Sequence, residues 1–278
     1  MNKRITALTL SLVLATSACT VFDSAAVNQQ AAQNYRQVIG QAAGRRMLDT
    51  SSPTARRVQN IFRNMVPYAD AANRTGQPFR WEMNVIRSDE INAWAMPGGK
   101  MAVYTGMVEK LGLTDDEIAA VIGHEMTHAL LEHSKKEANR NVGIGIGAQL
   151  GASILTAATG ANADLIGTGV GLATDLGLSK PFSRNAEREA DMGGLQLMAQ
   201  AGYDPRFAVS VWEKMNRAND NNDLVNKILS THPTNNERIS LIRRALPQMM
   251  PIYEQARAER GYRPAANPAM RRPMKGRR

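Results

Sequence analysis

The feature that most restricts what this chain can fold into is a well-capped helix carrying two histidines one turn apart. Thr114 and Glu117 form a capping box, Asp115 and Asp116 suit the positive end of a helix dipole, and Ile118, Val121, Ile122, Met126, Ala129 and Leu130 recur at helical spacing. The pattern predicts a helix from Thr114 that continues to about Ala138. Within it stands His124-Glu-Met-Thr-His128. Residues four apart lie ~40° apart around a helix, so both imidazoles can reach one tetrahedral metal ion. Glu125 lies beside them, where a carboxylate can take a proton from water acidified by the ion and later pass it to a leaving amine. An amphipathic helix with two surface histidines is the plainer alternative, and features further along the chain weigh against it.

Composition narrows the choice of ligands. The 278 residues contain one cysteine, which excludes a disulfide framework and a cysteine-built zinc site, so a metal here must be held by His and carboxylate. The net charge of +9 suggests nucleic acid until it is located. Six of the positive charges (Arg263, Arg271, Arg272, Lys275, Arg277, Arg278) sit in an acid-free tail and two (Lys3, Arg4) at the N-terminus, which leaves +1 for residues 20–260. A nearly neutral body predicts no nucleic-acid partner.

The third ligand separates classes of zinc peptidase. A metzincin would place Gly at position 131 and His at 134, where this chain has Leu131 and Ser134. On a continuous helix His133 falls half a turn from His124 and points away from the metal, as a surface or second-layer residue. A later helical segment, Ser183 to Gly202, offers carboxylates instead. Glu187 and Asp191 share a face, with Glu189 rotated ~200° from Glu187. One of the pair could bind the metal while the other orients a histidine, or both could belong to a charged face paired with Arg184 and Arg188.

Elsewhere the chain reads as helix, small sheet, helices. Helices are predicted over Ala25–Gly44, from Ser52-Pro53 to about Asn73, over Pro205–Asn216, near Leu224–Leu229 and over Thr234–Ala245. Arg80 to Val85 alternates like a strand, and Asn92 to Tyr104 gives two extended runs around Pro-Gly-Gly. The run Asn92 to Ala95 could present an exposed strand edge to an extended peptide, or form a purely structural hairpin. Residues 141–180 are rich in Gly and Ala, and a closely packed helical hairpin that closes over the cleft is expected there. The tail after Tyr262 reads as solvated and disordered. At the other end, Lys3 and Arg4, the apolar run Ile5 to Ala15 and the small residues before Cys19 form an export signal. It resembles bacterial lipoprotein signals, in which the cysteine is lipidated, although Thr16 stands where leucine is commonest.

Four motifs in order, Asn92-Ala-Trp-Ala-Met-Pro-Gly-Gly, His124-Glu-Met-Thr-His128, Glu187-Arg-Glu-Ala-Asp191 and His232-Pro-Thr-Asn-Asn-Glu-Arg238-Ile, resemble the gluzincin peptidases of the HtpX and CAAX prenyl protease type. The likeness spans about residues 60–245 and is strongest to periplasmic members without transmembrane helices. It implies His124, His128 and Glu187 as ligands of one zinc ion, Glu125 as base and Asp191 as support behind the site. It also moves His232 from an idle loop histidine to a site residue, filling the open metal position at rest or stabilising the oxyanion, and makes Asn92 and Ala93 the substrate platform. Arg238 stays open between a site role and pairing with an acid.

The expectation is a predominantly helical α+β zincin fold with a small antiparallel sheet beside the metal helix. Its parts are a signal peptide over 1–18, a linker or helix over 19–52 after a lipidated Cys19, a peptidase domain over 53–247 and a basic tail over 248–278. The function expected is zinc-dependent cleavage of polypeptides in the bacterial periplasm, on a lipid anchor to the envelope. Two other readings are a chaperone-like factor that binds unfolded chains with little cleavage, and a metal-dependent hydrolase of a non-peptide envelope component.

Overall fold

The structure is a computed structural model that describes residues 22–140, 181–219, 226–233 and 236–259. The export signal, Cys19, the expected hairpin over 141–180, Thr234 and residues 260–278 of the basic tail lie outside the described residues, whereas residues 248–259 of that expected tail are helical.

Helix α1 (Ser24–Gly44) is capped by Asp23, and α2 (Pro53–Ala72) starts on the Ser52 cap with Pro53 in its first turn. Three short strands follow: β1 (Glu82–Ile86), β2 (Ala93–Met96) and β3 (Lys100–Tyr104). The β2–β3 hairpin turns through Gly98 and Gly99 at φ 77° and 80°, a left-handed backbone that needs glycine twice. A side chain at Gly99 would also collide with Trp81, with its Cβ 2.6 Å from the ring.

The sheet is mixed, with order β1-β3-β2: β2 runs antiparallel to β3, but β1 runs parallel to it. The expectation of a wholly antiparallel sheet holds only for the hairpin. The later strand β3 slots between the two earlier ones and so is paired on both edges. Met83, Val85, Ala93, Ala95, Met101 and Val103 face the main helical core. Ile86, Trp94, Met96 and Ala102 face α1 through Ala31 and Tyr35. Tyr35 fixes α1 by donating its hydroxyl to the Met101 carbonyl at 2.9 Å.

After a short helix α3 (Thr105–Glu109) comes α4 (Asp115–Leu130), with the capping box of Thr114 and Glu117 in place. Every residue of α4 from Glu117 to Leu130 is buried. It is therefore a central helix rather than an amphipathic one, enclosed by α2, β2, α5 (Arg184–Gln200) and α6 (Phe207–Asn219). Nor does it run unbroken to Ala138: it ends at Leu130, Glu132 adopts a left-handed φ of 52°, and residues 133–140 form a new helical segment. Two further helices, α7 (Asn226–Thr231) and α8 (Asn236–Glu259), complete the described fold. Helix α8 extends well past the expected Ala245, through Pro247 and Pro251.

The contact that places the site is the crossing of α4 and α5. It is made by glycines on both sides: a Cβ built on Gly123 would lie 2.8 Å from the Gly194 carbonyl oxygen, and one on Gly194 would lie 2.8 Å from the His124 amide nitrogen. The two backbones touch one residue away from His124, which brings the first turns of α5 against the middle of α4.

Candidate metal centre

Four buried side chains meet at this crossing. His124 and His128 come from α4, Glu187 from the first turn of α5 and His232 from the residue after α7, and one ligand atom from each lies within 4.8 Å of the others. His124 Nε2 is 3.1 Å from His128 Nε2 and 3.5 Å from Glu187 Oε2, and His128 Nε2 is 3.3 Å from Glu187 Oε1. Corners of a tetrahedron with zinc-like bonds of ~2.0–2.1 Å lie ~3.3 Å apart. These separations therefore fit one small cation among three donors.

The polar accounting also fits a cation. Glu187 is almost wholly buried, yet its Oε2 accepts no hydrogen bond from the described residues. Arg238 Nη1 comes within 2.7 Å of that oxygen as an ion-pair partner but is not aligned to donate to it. An unused buried carboxylate lone pair is costly unless something positive takes it up. Burial works to lower the His124 imidazole, but hydrogen bonds and charge from Asp191 and Glu187 outweigh it and push it up to about 9. Burial holds His128 well below its usual value, and the charges of His124 and His232 add to this. Glu187 would be raised by burial, but the three histidines around it hold its carboxyl far below the usual range, so it offers a carboxylate.

Each of the remaining groups has a definite place. Asp191, one turn after Glu187, has Oδ1 3.1 Å from His124 Nδ1. Arg238 on α8 closes on Asp191 with two hydrogen bonds, from Nε at 2.8 Å and Nη2 at 2.7 Å, and its guanidinium stacks 4.0 Å from the Trp212 ring centroid. Burial tends to raise Asp191, but Arg238 and His124 hold it below its ordinary value. Glu125 is buried and raised by that burial, accepts from the Ala95 amide, and has Oε1 3.5 Å from His232 Nε2. The His232 amide donates to the Ile228 carbonyl at 2.7 Å and its Nδ1 is 3.0 Å from Glu187 Oε1, so this histidine faces the cluster from a helix end. Phe182 stacks on the His128 ring with centroids 4.0 Å apart. A cavity of about 170 Å³ bordered by Phe182, Arg184, Arg188, Pro233 and Arg238 reaches Glu187.

Asn92 and Ala93 are placed less simply. Both are buried, at 6% and 1% exposure, so the edge is covered rather than exposed. The Asn92 carbonyl is used within the sheet, where it accepts from the Tyr104 amide at 3.0 Å. Hydrogen-bonded pairs alternate along an antiparallel ladder, so the main-chain groups that point away from β3 are those of Ala93 and Ala95. Among the described residues no strand pairs with that side of β2.

Three residues make contacts at the site that the sequence reading does not specify. Ala95 supplies the amide that meets Glu125, and only the strand register could have indicated it. His133, expected as a surface or second-layer residue, takes the second of those places, and Glu189, expected on a face turned away from Glu187, joins it: His133 Nδ1 is 2.9 Å from His128 Nδ1, and its Nε2 is 3.0 Å from Glu189 Oε2. The kink at Glu132 turns His133 back toward His128.

The chain is similar to known proteins. Residues 52–246 match the description of peptidase family M48. The mitochondrial metalloendopeptidase OMA1 of Schizosaccharomyces pombe is 32% identical over 214 residues, covering 77% of this chain and 59% of that protein. The metalloprotease LoiP of Escherichia coli is 30% identical over 175 residues (62% of this chain, 64% of LoiP), and the metalloprotease YcaL of the same organism is 26% identical over 198 residues (70% and 74%). The chain thus spans less than two thirds of the length of OMA1 and of LoiP. A family match over most of the described fold, carrying a buried group of two histidines and a glutamate that fits zinc, leads to one conclusion: this chain belongs to peptidase family M48, whose metalloproteases use zinc.

Proposed function

We propose that the chain is a zinc-dependent endopeptidase that cleaves misfolded or envelope proteins at the bacterial cell envelope, held there by lipid on Cys19. The observation that carries the enzymatic part is the convergence of His124, His128 and Glu187 beside a buried Glu125. The export signal and its single cysteine support the location. No helix among the described residues is long and apolar enough to cross a membrane, which leaves lipidation as the anchor we favour. Within family M48 we place the chain near the HtpX and CAAX prenyl protease type on the four motifs quoted above, with LoiP and YcaL as its bacterial relatives.

In this reading His124, His128 and Glu187 hold the ion. Bound there, zinc supplies Lewis acidity toward water and the scissile carbonyl. Asp191 accepts from His124 Nδ1–H, which leaves Nε2 bare for ligation, and Arg238 keeps Asp191 ionised and fixed. Glu125 receives the proton of the attacking water on its carboxylate, where its raised affinity for a proton lets it hold and then release that proton to the leaving amine. His232, 3.5 Å from Glu125, donates toward the developing oxyanion once it moves off Glu187. Once the cover over the outer side of β2 is displaced, an extended substrate adds along it and bonds to the main chain of Ala93 and to the Ala95 carbonyl, with Asn92 anchoring the strand from within.

Casein digestion by the purified mature chain, with and without chelator and with Glu125→Gln, tests the reading. We expect chelator to stop digestion and the variant to lose it by at least ~100-fold. A variant that digests normally removes Glu125 from its role. A variant without protease activity that still serves the cell in full points instead to the chaperone-like reading.

A further inference from the structure

From the geometry behind His128 we infer that His133 and Glu189 form a positioning relay that fixes which nitrogen of His128 faces the metal. The inference rests on the zinc reading above and assigns a role to two residues that reading does not use. His124 has Asp191 behind it, but among the described residues no carboxylate stands behind His128. His133 takes that place, with ring nitrogens 2.9 Å apart, and Glu189 stands behind His133 at 3.0 Å.

The direction of the hydrogen bonds follows from which groups can donate. Two Nδ1 atoms at 2.9 Å must share one proton, because two N–H groups would collide and two bare lone pairs would repel. A carboxylate oxygen of Glu189 can only accept, so the proton on His133 sits at Nε2 and Nδ1 of that ring is bare. His133 Nδ1 then accepts from His128 Nδ1–H, and His128 Nε2 is left bare toward His124 and Glu187. Reversing the chain would put an N–H of His128 into the cluster and leave Glu189 facing a lone pair.

Burial separates the two ends of the relay. The His133 side chain is 2% exposed, whereas that of Glu189 is 56% exposed, so the relay runs from a sealed ligand to the surface. The two ends are held by different elements: residues 133–140 carry the histidine and α5 carries the glutamate, next but one to Glu187.

Zinc affinity, measured by competition with a chromophoric chelator, tests this on the full mature chain. Outer partners of a ligating histidine are worth ~10–100-fold in metal affinity. His133→Phe keeps the ring volume and removes the acceptor, and we expect it to weaken zinc by that factor. His133→Asn puts an oxygen near the place of Nδ1 and should recover most of the loss. Equal affinity in the two variants, whether both like wild type or both weakened, overturns the relay in favour of packing. Where His133→Phe does not fold, long-range proton–nitrogen NMR on the wild-type zinc-loaded chain decides: a neutral His133 protonated at Nε2 supports the relay, and a proton on its Nδ1 overturns it. Failure of the wild type to bind one zinc per chain would instead count against the zinc reading itself.

Discussion

Adding one methyl group at the α4–α5 crossing should disturb the site as well as the fold. In Gly194→Ala the new Cβ would lie 2.8 Å from the His124 amide nitrogen, 3.0 Å from the Gly123 carbonyl carbon and 3.1 Å from His124 Cα. All three are backbone atoms of α4 and cannot rotate away. Ordinary carbon contacts begin near ~3.4 Å, so the helices must part locally by roughly 0.6 Å. Two opposing terms set the stability: alanine gains ~1 kcal/mol over glycine inside a helix, and overpacking costs ~1–3 kcal/mol. The net is a loss of up to about 2 kcal/mol, or at most ~8 °C in thermal midpoint. The same 0.6 Å opens the gap between His124 and His128 on one helix and Glu187 and Asp191 on the other, against a metal–ligand tolerance of about ±0.2 Å. We therefore expect zinc to bind at least ~10-fold more weakly, beside the modest loss of stability. Gly40→Ala is the matched control: Gly40 lies in α1 with nothing within 4 Å of its added Cβ, and the same chemical change there should raise the midpoint by ~2–4 °C. Thermal unfolding and chelator competition on both variants measure the two effects. Gly194→Ala with an unchanged midpoint and unchanged zinc affinity would refute the close crossing as the device that sets the site.

Arg238→Met leaves the buried carboxylates of Asp191 and Glu187 without their cation, and urea unfolding in chelator should show a loss of ~3–5 kcal/mol; a change under ~1 kcal/mol would deny the ion pairs their structural weight. Zinc removal should itself lower the thermal midpoint, since a ligand at 100 times its Kd stabilises by about 2.7 kcal/mol, and a midpoint indifferent to chelator and zinc would exclude a specific site. At the start of α4, Thr114→Ala removes the capping oxygen and should cost ~1 kcal/mol. Glu117, which burial would raise, is held below its usual value by Lys214, Ser210 and the Thr114 amide. Its folded pKa being the lower one, its contribution is complete above the unfolded value of ~4.3 and fades as pH falls through the folded value. Glu117→Gln should flatten the acid limb of a stability-against-pH curve below pH ~5, and an unchanged limb would rule the group out.

How much of this was readable in advance depends on whether a relation is local or set by the packing. The capping box, the histidines four residues apart, the glycine turn of the hairpin and the shared face of Glu187 and Asp191 are each fixed within a turn of helix or a few residues of strand, and each appears in place. The parallel pairing of β1 with β3 joins segments that local pattern cannot connect, because alternation of side chains is the same in either direction. His133 shows the sharper limit. Its angle around α4 holds for a helix that continues, but the helix stops at Leu130, and Glu132 takes a left-handed conformation that its residue type disfavours. Such a break carries no glycine or proline signal. What it gains is the approach of His133 to His128 and Glu189, an energy that exists only after α5 has docked. Periodicity reports direction around an axis and cannot report where the axis bends. In this fold the two candidate ligands of α4 are therefore legible, the partner behind His124 is legible because α5 runs unbroken from Arg184 to Gln200, and His133 is legible only as a surface or second-layer residue, its contact with His128 being set by a kink of one residue.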